Sequence, residues 1–526
     1  MVFLQKILKL IRTVEFLNAL LYNNTYFRRE ISNMNRFKRL IALFLCLIML
    51  FSLCACDESD KAYIYFNLNE QPVSLDPQTA QNDTDLLIIR NIFEGLMRKN
   101  EEGKIVCGAA ETYKKNGLVY TFNLRKGAMW SNEESLTAYD FLFALQRAVD
   151  PKTKAPFAKR LINIKNADAI LKGKKSVEDL GVKVIDAYTL KIELSKEDPT
   201  FLEALTTSIA MPCNEDFFKN CAGKYGLEGQ SILSNGSYRL TKWGKTVFGI
   251  RLYRNKFYNG NFTAKNAAVF LSIDKERTSL QMLKENDADI AFISPLELGA
   301  AAENGLKTAH SNNICWFLTI SDGFSKNIRT ALINLASSQT FEKSLINGYS
   351  PAQSIFPNVL SSNAGAQGLP VYDLEASKKL FFDEIKSLKD KKFPEGVVLY
   401  YYDDGFSKTV VTDIVAHWQS QLGAYINIEA VSSPEKLTSQ LKDQTYALSI
   451  FPVFASSQSS KEYLEKFGIN YKGEKLSKIQ KDILKSKNIV PLMTQDTIVA
   501  YNKNLTCFNF SSGNGLIDFA YVVKTE

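Results

Sequence analysis

Residues 120–158, YTFNLRKGAMWSNEESLTAYDFLFALQRAVDPKTKAPFA, contain the most informative local pattern in the chain. The alternation of residues 120–124 predicts a strand, and the polar run after Trp130 predicts a turn. Thr137 can cap the helix that follows, with Asp140 at the capping-box distance. The apolar residues of one helix face come next: Phe141, Ala144 and Leu145. The stretch therefore predicts a strand, a turn and a helix in direct succession.

Strands and helices alternate on both sides of this stretch. Predicted strands include AYIYFNL (62–68), DAYTLKIELS (186–195) and EGVVLYYYDD (395–404), and predicted helices include LEASKKLFFDEIKSL (374–388) and VVTDIVAHWQSQL (410–422). This alternation predicts α/β layers with some parallel sheet. The chain has 526 residues, whereas a single core stops growing near roughly 250–300 residues. We therefore expect at least two lobes.

An apolar run at residues 40–53 follows a basic segment and ends in Leu53-Cys54-Ala55-Cys56. It is shorter than the roughly 20 residues of a spanning helix and suits the apolar region of a secretory signal. Its end resembles the bacterial lipobox, so we predict that residues 1–55 are a signal peptide and that Cys56 is lipidated. Met34 is the expected true start. An ordinary signal peptide or an uncleaved anchor are the alternatives.

The composition argues against several classes of function. Residues 1–55 hold eight basic and two acidic side chains of a chain with net charge +8, so the remainder is nearly neutral and does not favour nucleic acid. The chain has two histidines, His310 and His417, whereas zinc sites and Ser/Cys-His catalysis need clustered ones. We predict no catalytic residue, metal site or cofactor. Cys213 and Cys221 could form a disulfide or remain free thiols.

Four stretches together resemble the oligopeptide- and dipeptide-binding proteins of ABC importers (extracellular solute-binding protein family 5). They are QPVSLDPQTAQNDTDLLIIRNIFEGL (71–96), the stretch at 120–158, ILSNGSYRLTKW with LYRNKFY (232–258), and RTALINLA, EASKKLFF and IVPLMTQDTIVAY (329–501). The resemblance covers nearly all of residues 62–526.

This resemblance implies an α/β, bilobal periplasmic-binding-protein-like fold (type II, cluster C) with an extra inserted domain. Lobes of this family close over a ligand in a hinge motion. The implied boundaries are a discontinuous lobe I at 57–93, 215–316 and 496–526, an inserted domain at 94–214, and lobe II at 317–495.

The resemblance also implies a function. The chain would be an extracytoplasmic lipoprotein, anchored to the membrane by lipid at the periplasmic side or cell surface. As a monomer, it would capture an oligopeptide or related solute and deliver it to an ABC permease and its ATPase subunits. One alternative is a repurposed binding fold that acts as a sensor, chaperone or adhesin without transport. A surface hydrolase is the other, restricted to carboxylate or Ser/Lys chemistry.

The segment expected to read the ligand departs from the family pattern. In peptide-binding relatives, side chains neutralise the charged peptide ends, because an unpaired charge in a closed cleft is costly. Here Ser456 occupies the acidic position of YALSIFPVFASSQSSKEYL (446–464), and Val453 replaces a tryptophan. Positions that would offer a cation to the peptide carboxylate hold Leu441, Ile450 and Ser407. We therefore predict a ligand with neutral or unusual ends, or a peptide held in another way.

The predicted ligand-binding residues lie near the hinge, on the inserted domain and at the lobe crossing: Gln81, Asp83, Phe157, Trp316, Phe317, Tyr402, Asp403, Phe454 and Ser456. Trp316, Phe317 and Phe454 would suit the core equally well. Asp403 and Asp404 could be read as paired catalytic carboxylates, but a solvated turn before Gly405 is favoured. Glu133 replaces the glycine of the family's tight turn after Trp130, so we expect that turn to differ.

Overall fold

The structure, a computed structural model, describes residues 62–68, 70–244, 249–360, 365–441, 444–455, 460–469, 471, 474–506, 510 and 516–525. The predicted signal peptide (residues 1–55), Cys56 and Ser456 lie outside the described residues. Within the described part of the chain, no helix is both long and apolar enough to cross a membrane.

The elements follow one another along the chain with the following bounds. The strands are β1 (Tyr63–Asn67), β2 (Met97–Lys99), β3 (Ile105–Cys107), β4 (Ala110–Asn116), β5 (Val119–Leu124), β6 (Val182–Asp186), β7 (Thr189–Glu193), β8 (Tyr238–Lys242), β9 (Ile250–Arg254), β10 (Ala268–Ser272), β11 (Ile290–Ile293), β12 (Lys307–Ile320), β13 (Tyr349–Pro351), β14 (Val398–Tyr402), β15 (Asn427–Val431), β16 (Ala447–Phe454), β17 (Ile489–Tyr501), β18 (Leu505–Thr506) and β19 (Val523–Lys524). The α-helices are α1 (Asp83–Ile92), α2 (Ala138–Val149), α3 (Ala167–Leu171), α4 (Phe201–Ala204), α5 (Glu215–Asn220), α6 (Ser279–Lys284), α7 (Leu298–Glu303), α8 (Lys326–Leu335), α9 (Ser338–Phe341), α10 (Leu374–Ser387), α11 (Ser407–Leu422), α12 (Pro434–Leu441), α13 (Ser460–Glu465) and α14 (Leu476–Lys485).

One eleven-stranded mixed sheet runs through the structure in the order β15-β14-β16-β12-β17-β11-β1-β10-β9-β8, with β13 added against β17. Its parallel pairs include β1 with β10 and β14 with β15. Two long antiparallel strands, β12 and β17, stay paired from Lys307 and Tyr501 at one end to Thr319 and Ile489 at the other. Separate apolar cores pack on the two halves of this sheet. The predicted α/β class with some parallel sheet is confirmed.

A second sheet, in the order β4-β5-β7-β6, lies within residues 94–214, where α2 packs against β6 and β7. The predicted start of α2 is confirmed, because the Thr137 backbone N–H donates to Asp140 Oδ2 at 2.7 Å. Trp130 is fully buried at the turn before the helix. The exact boundaries of the lobes and of the inserted domain remain predictions.

Asp140 makes the stability of the fold depend on pH. Burial raises its pKa to about 6, although hydrogen bonds from Thr137 act to lower it. An aspartate in the unfolded chain has a pKa near 3.9. Folding therefore favours the protonated form, and stability from this group is lost as the pH rises from about 4 to about 6. Relative to Asp140→Asn, the wild-type free energy of unfolding should fall by about 2 kcal/mol between pH 4 and pH 7.5.

Urea unfolding at both pH values measures that difference. Asp186 provides a contrast, because a hydrogen bond from the Tyr188 backbone lowers the pKa of this carboxyl. Asp186→Asn should therefore change the pH dependence in the opposite direction. A constant difference between wild type and Asp140→Asn across this range would contradict the assignment.

The turn after Trp130 places Glu133 in a left-handed conformation. The turn remains tight, since the Glu133 N–H donates to the Trp130 carbonyl at 3.0 Å, and Glu133 itself adopts a φ of 74°. A residue with a Cβ pays roughly 1–2 kcal/mol for this left-handed conformation. The turn thus accommodates glutamate at a cost in backbone strain, and its difference from the family's turn stays a prediction.

Glu133→Gly is expected to raise the free energy of unfolding by about 0.5–1 kcal/mol, because relief of strain exceeds the greater entropy of the unfolded chain. Thermal and urea unfolding measure the change. Lys126→Gly, at another exposed turn position without a positive φ, is the matched control and should destabilise. An equal decrease in the free energy of unfolding in both variants would show that Glu133 is not strained.

A buried ion pair ties the segment before α1 to α2. Arg147 Nη2 donates to Asp76 Oδ2 at 2.7 Å, and Nη1 reaches Asp76 Oδ1 at 3.3 Å and Gln78 Oε1 at 2.7 Å. The guanidinium lies 4.0 Å from the centre of the Phe218 ring. Burial acts to lower the pKa of Arg147, but the Asp76 carboxylate outweighs it and raises that pKa. Two of the sequence motifs that marked the family thus meet in one contact.

The alternatives left open for the cysteines are decided by the structure. Cys213 and Cys221 are both free thiols. Cys213 is buried beside Arg147, whereas the Cys221 thiol donates to the Ser231 carbonyl. No disulfide therefore closes the loop between them.

Candidate ligand-binding cleft

Strands β12 and β17 form the crossing between the two halves of the large sheet. Their register shifts between Asn312 and Ile314. At this point Asn312 Nδ2 donates to Asp496 Oδ1, and Thr497 Oγ1 donates to Asn313 Oδ1, both at 2.8 Å. A register shift bends a strand locally, so this crossing has the features expected of a hinge.

A cavity of about 230 Å³ lies where segments far apart in the sequence meet. Helix α1, residues 156–160, residues 200–211 and α13 contribute its walls. Its apolar lining includes Leu86, Ile89, Phe157, Ala204 and Met211. Its charged lining consists of Arg90, Lys99, Lys159, Arg160, Glu203, Glu462 and Glu465. The walls thus combine apolar surface with groups of both charges, as ligand pockets do.

An ion pair bridges two of these walls. Arg160 Nη2 donates to Glu462 Oε2 across the cavity rim, and the guanidinium lies 4.5 Å from the centre of the Phe157 ring. The side chains are 10% and 21% exposed. Low exposure strengthens the attraction but also makes it costly to leave either charge without its partner. The pair therefore holds α13 against residues 156–160.

A second pair of opposite charges connects the start of α1 with the residue that follows α13. Loss of surrounding water raises the pKa of Asp83, at the start of α1, although attraction to Lys466 acts to lower it. Burial also lowers the pKa of Lys466, although attraction to Asp83 and Glu462 acts to raise it. Lys466 Nζ donates to the Phe454 carbonyl at 2.6 Å. An anion and a cation from distant parts of the chain thus attract each other.

The structure brings some of the sequence-predicted residues to this cleft. Phe157 lines the cavity, whereas Asp83 and Phe454 are connected through Lys466 and are not among the lining residues. Gln81 is exposed just before α1. The charge-free segment that contains Phe454 therefore has charged neighbours supplied from elsewhere in the chain.

Other predicted residues occupy the core or the solvent. Trp316 and Phe317 are 1% and 0% exposed, and Trp316 Nε1 donates to Gln495 Oε1 at 2.7 Å. The Tyr402 ring packs 6.2 Å from that of Trp316. Asp403 is exposed and accepts the Gly405 N–H at 2.9 Å, as in the solvated turn weighed above. These positions favour structural roles.

Sequence reasoning missed Arg160, Glu462 and Lys466. Glu462 and Lys466 could have been recognised in the sequence, because they follow the charge-free segment directly. Glu462, Glu465 and Lys466 also have the i, i+3, i+4 spacing that places side chains on one helix face. Arg160 had no local signal, since its partner is 302 residues away.

The described residues contain no group of three or more His, Cys, Asp or Glu side chains placed to hold a metal ion. Arg90 lines the cavity, and its Nε lies 3.7 Å from the Asp518 carboxylate. Burial lowers the pKa of Arg90, although attraction to Asp518 acts to raise it. The site is therefore organised by ion pairs and apolar walls.

Comparisons with known proteins agree with this architecture. The chain is 33% identical to the periplasmic murein peptide-binding protein MppA of Escherichia coli strain K12, over 45% of this chain and 44% of MppA. It is 27% identical to the oligopeptide-binding protein OppA of Bacillus subtilis strain 168, over 71% of each chain. The first alignment thus spans less than half of its relative, and the second about seven tenths.

The fold matches solved structures over a larger part of the chain. Peptide-bound OppA of Listeria monocytogenes superposes with a TM-score of 0.69 at 21% identity, over 89% of this chain and 99% of that one. The family model for bacterial extracellular solute-binding proteins, family 5 (middle), matches residues 104–475. Since this match covers well over half of the sequence, the chain belongs to the bacterial extracellular solute-binding proteins of family 5.

Proposed function

We propose that this chain is an extracytoplasmic solute-binding lipoprotein that captures oligopeptides or a related solute between two lobes. It delivers the solute to an ABC permease and its ATPase subunits, acts as a monomer and performs no chemistry on the ligand. A lipid on Cys56 keeps it at the membrane. The observation that carries the proposal is the cavity between α1, residues 156–160, residues 200–211 and α13, with the Arg160–Glu462 pair across its rim.

The arrangement suits capture because each wall comes from a different part of the chain. Separation of α13 from residues 156–160 would open the cavity, and the β12–β17 crossing is the place where the backbone can bend. Loss of water strengthens the charged interactions on closure. The relatives named for peptides support a peptide-like ligand for this chain.

The charges at the cleft extend the earlier argument about the ligand's ends. Residues 446–459 supply no charge, but Asp83 and Lys466 offer one charge of each sign. An ammonium group of a ligand would pair with Asp83, and a carboxylate would pair with Lys466. A ligand without charged ends would instead leave these two side chains paired with each other.

Native mass spectrometry of the chain beginning at Asp57, purified from cells, tests the proposal. We expect one ligand bound to each chain, which denaturation releases unchanged. A ladder of peptide masses would assign charged ends to Asp83 and Lys466. A single blocked peptide or a non-peptide mass would support neutral ends. A folded chain that captures nothing from a peptide extract, or that converts what it captures, would refute the proposal.

A further inference from the structure

An aromatic patch lies exposed on one face of the large sheet, at the end where β1 begins. It consists of Tyr63, Tyr65, Tyr253 and Phe270, from β1, β9 and β10. The Phe270 ring lies 5.3 Å from each of Tyr63 and Tyr65 and 6.0 Å from Tyr253. Tyr63 and Tyr65 are 37% and 41% exposed. Contiguous exposed apolar surface of this kind marks an interaction site.

Basic side chains surround the aromatic patch. Arg251 is exposed, with its guanidinium 5.6 Å from the centre of the Phe270 ring. Lys524 Nζ lies 5.7 Å from the centre of the Tyr65 ring, and Lys256 and Lys265 are exposed at the ends of β9 and β10.

The acidic group beside the patch neutralises Lys524 but not Arg251, Lys256 or Lys265. Asp289 is 6% exposed and accepts from Lys524 Nζ at 2.8 Å. The face is therefore aromatic at its centre and cationic at its edge, and its nearby carboxylate is already paired.

Rings with a polar edge, together with lysine and arginine, are the side chains that favour the interface between a bilayer and water. Their position on this chain gives the reason to choose a membrane. Tyr63 is the seventh residue after Cys56, and an extended chain of seven residue steps spans at most about 25 Å. A lipid on Cys56 would therefore hold the aromatic patch within that distance of the bilayer.

We propose that the aromatic patch docks onto an anionic phospholipid surface and fixes the orientation of the protein on its membrane. This inference rests on the proposed lipid anchor at Cys56. Two or more acyl chains already retain a lipoprotein, so the patch does not serve retention. Tethering supplies the high local concentration that allows a weak patch to dock. Each cation near an anionic surface strengthens that docking by about fivefold.

The test uses the lipidated chain extracted from membranes and placed in nanodiscs that carry doxyl-labelled lipid. Tyr65→Trp introduces a reporter in the aromatic patch, and Tyr139→Trp introduces one at a position that is 60% exposed on α2. In nanodiscs of phosphatidylcholine with phosphatidylglycerol, the added fluorescence of Tyr65→Trp should be quenched and that of Tyr139→Trp should not. Arg251→Gln in the Tyr65→Trp chain should lower the docking constant about fivefold.

Several results would overturn the proposal: a chain without lipid on Cys56, equal quenching of both reporters, or equal quenching in phosphatidylcholine alone. A concentration-dependent change of the Tyr65→Trp signal without lipid would also overturn it, since the patch would then bind a second copy. Thermal unfolding checks that each variant is folded. Native mass spectrometry of the same samples reports ligand capture separately, so failure of docking is distinguishable from failure of the proposed transport function.

Discussion

Arg147→Met is expected to lower the free energy of unfolding by about 3–5 kcal/mol. The substitution keeps most of the apolar stem that packs on Phe218 but removes the guanidinium that binds Asp76 and Gln78. Asp76, which is 5% exposed, then remains as a buried carboxylate without its cation. Most of the lost stability comes from burying a carboxylate without a partner, which costs more than losing an ordinary hydrogen bond. Urea unfolding followed by circular dichroism measures the loss.

Two further variants separate this explanation from simple loss of packing. Lys172→Met breaks the pair with Asp168, whose side chains are 58% and 51% exposed, and should cost at most about 1 kcal/mol. The double variant Asp76→Leu with Arg147→Met leaves no buried charge and should recover part of the stability. Additive losses from the two single substitutions would contradict the proposed coupling.

Glu462→Gln is expected to weaken ligand binding by about 30-fold, or about 2 kcal/mol. Glutamine preserves shape and a hydrogen-bond acceptor, but Arg160 then faces a neutral partner in a poorly hydrated position. Contacts between α13 and residues 156–160 become less favourable, so the closed arrangement is less populated and the apparent affinity falls with it. Calorimetric titration with the ligand recovered by native mass spectrometry measures the affinity.

The control for Glu462 is another ion pair. Glu197→Gln removes the partner of Lys115 at a site where the side chains are 43% and 74% exposed, and it should leave affinity unchanged. Small-angle scattering of unliganded Glu462→Gln should give a larger radius of gyration than wild type. Affinity that is unchanged in Glu462→Gln would show that this pair does not control closure.

The sequence predicts those features that depend on neighbours along the chain. Helix α2 begins where Thr137 and Asp140 indicate, since both capping partners lie within one turn. Strand periodicity likewise places the alternating segments of β1 and β7 in sheets. The sequence does not show that Glu133 adopts a φ of 74°, because a folded chain can carry backbone strain at an exposed turn.

The candidate site depends on contacts that sequence periodicity does not encode. Arg160 and Glu462 are brought together by the whole fold, as are Asp83 and Lys466. Trp316 and Phe317 had suggested a ligand contact because they lie on the crossing strand, but both point into cores at that position. The resemblance to a family predicts the architecture, whereas only the three-dimensional structure shows which charged side chains lie together in this cleft.

The contact between α1 and the end of the chain has a consequence for biosynthesis. Asn91 Nδ2 donates to the Ile517 carbonyl at 2.9 Å, and the Phe519 N–H donates back to Asn91 Oδ1 at 2.7 Å. A ribosome must therefore deliver almost the whole chain before the surroundings of α1 can be completed. Such distant pairings slow folding, so the nascent chain remains unfolded for longer. Delayed folding would keep the polypeptide unfolded until translation ends, and an unfolded chain can pass through an export channel.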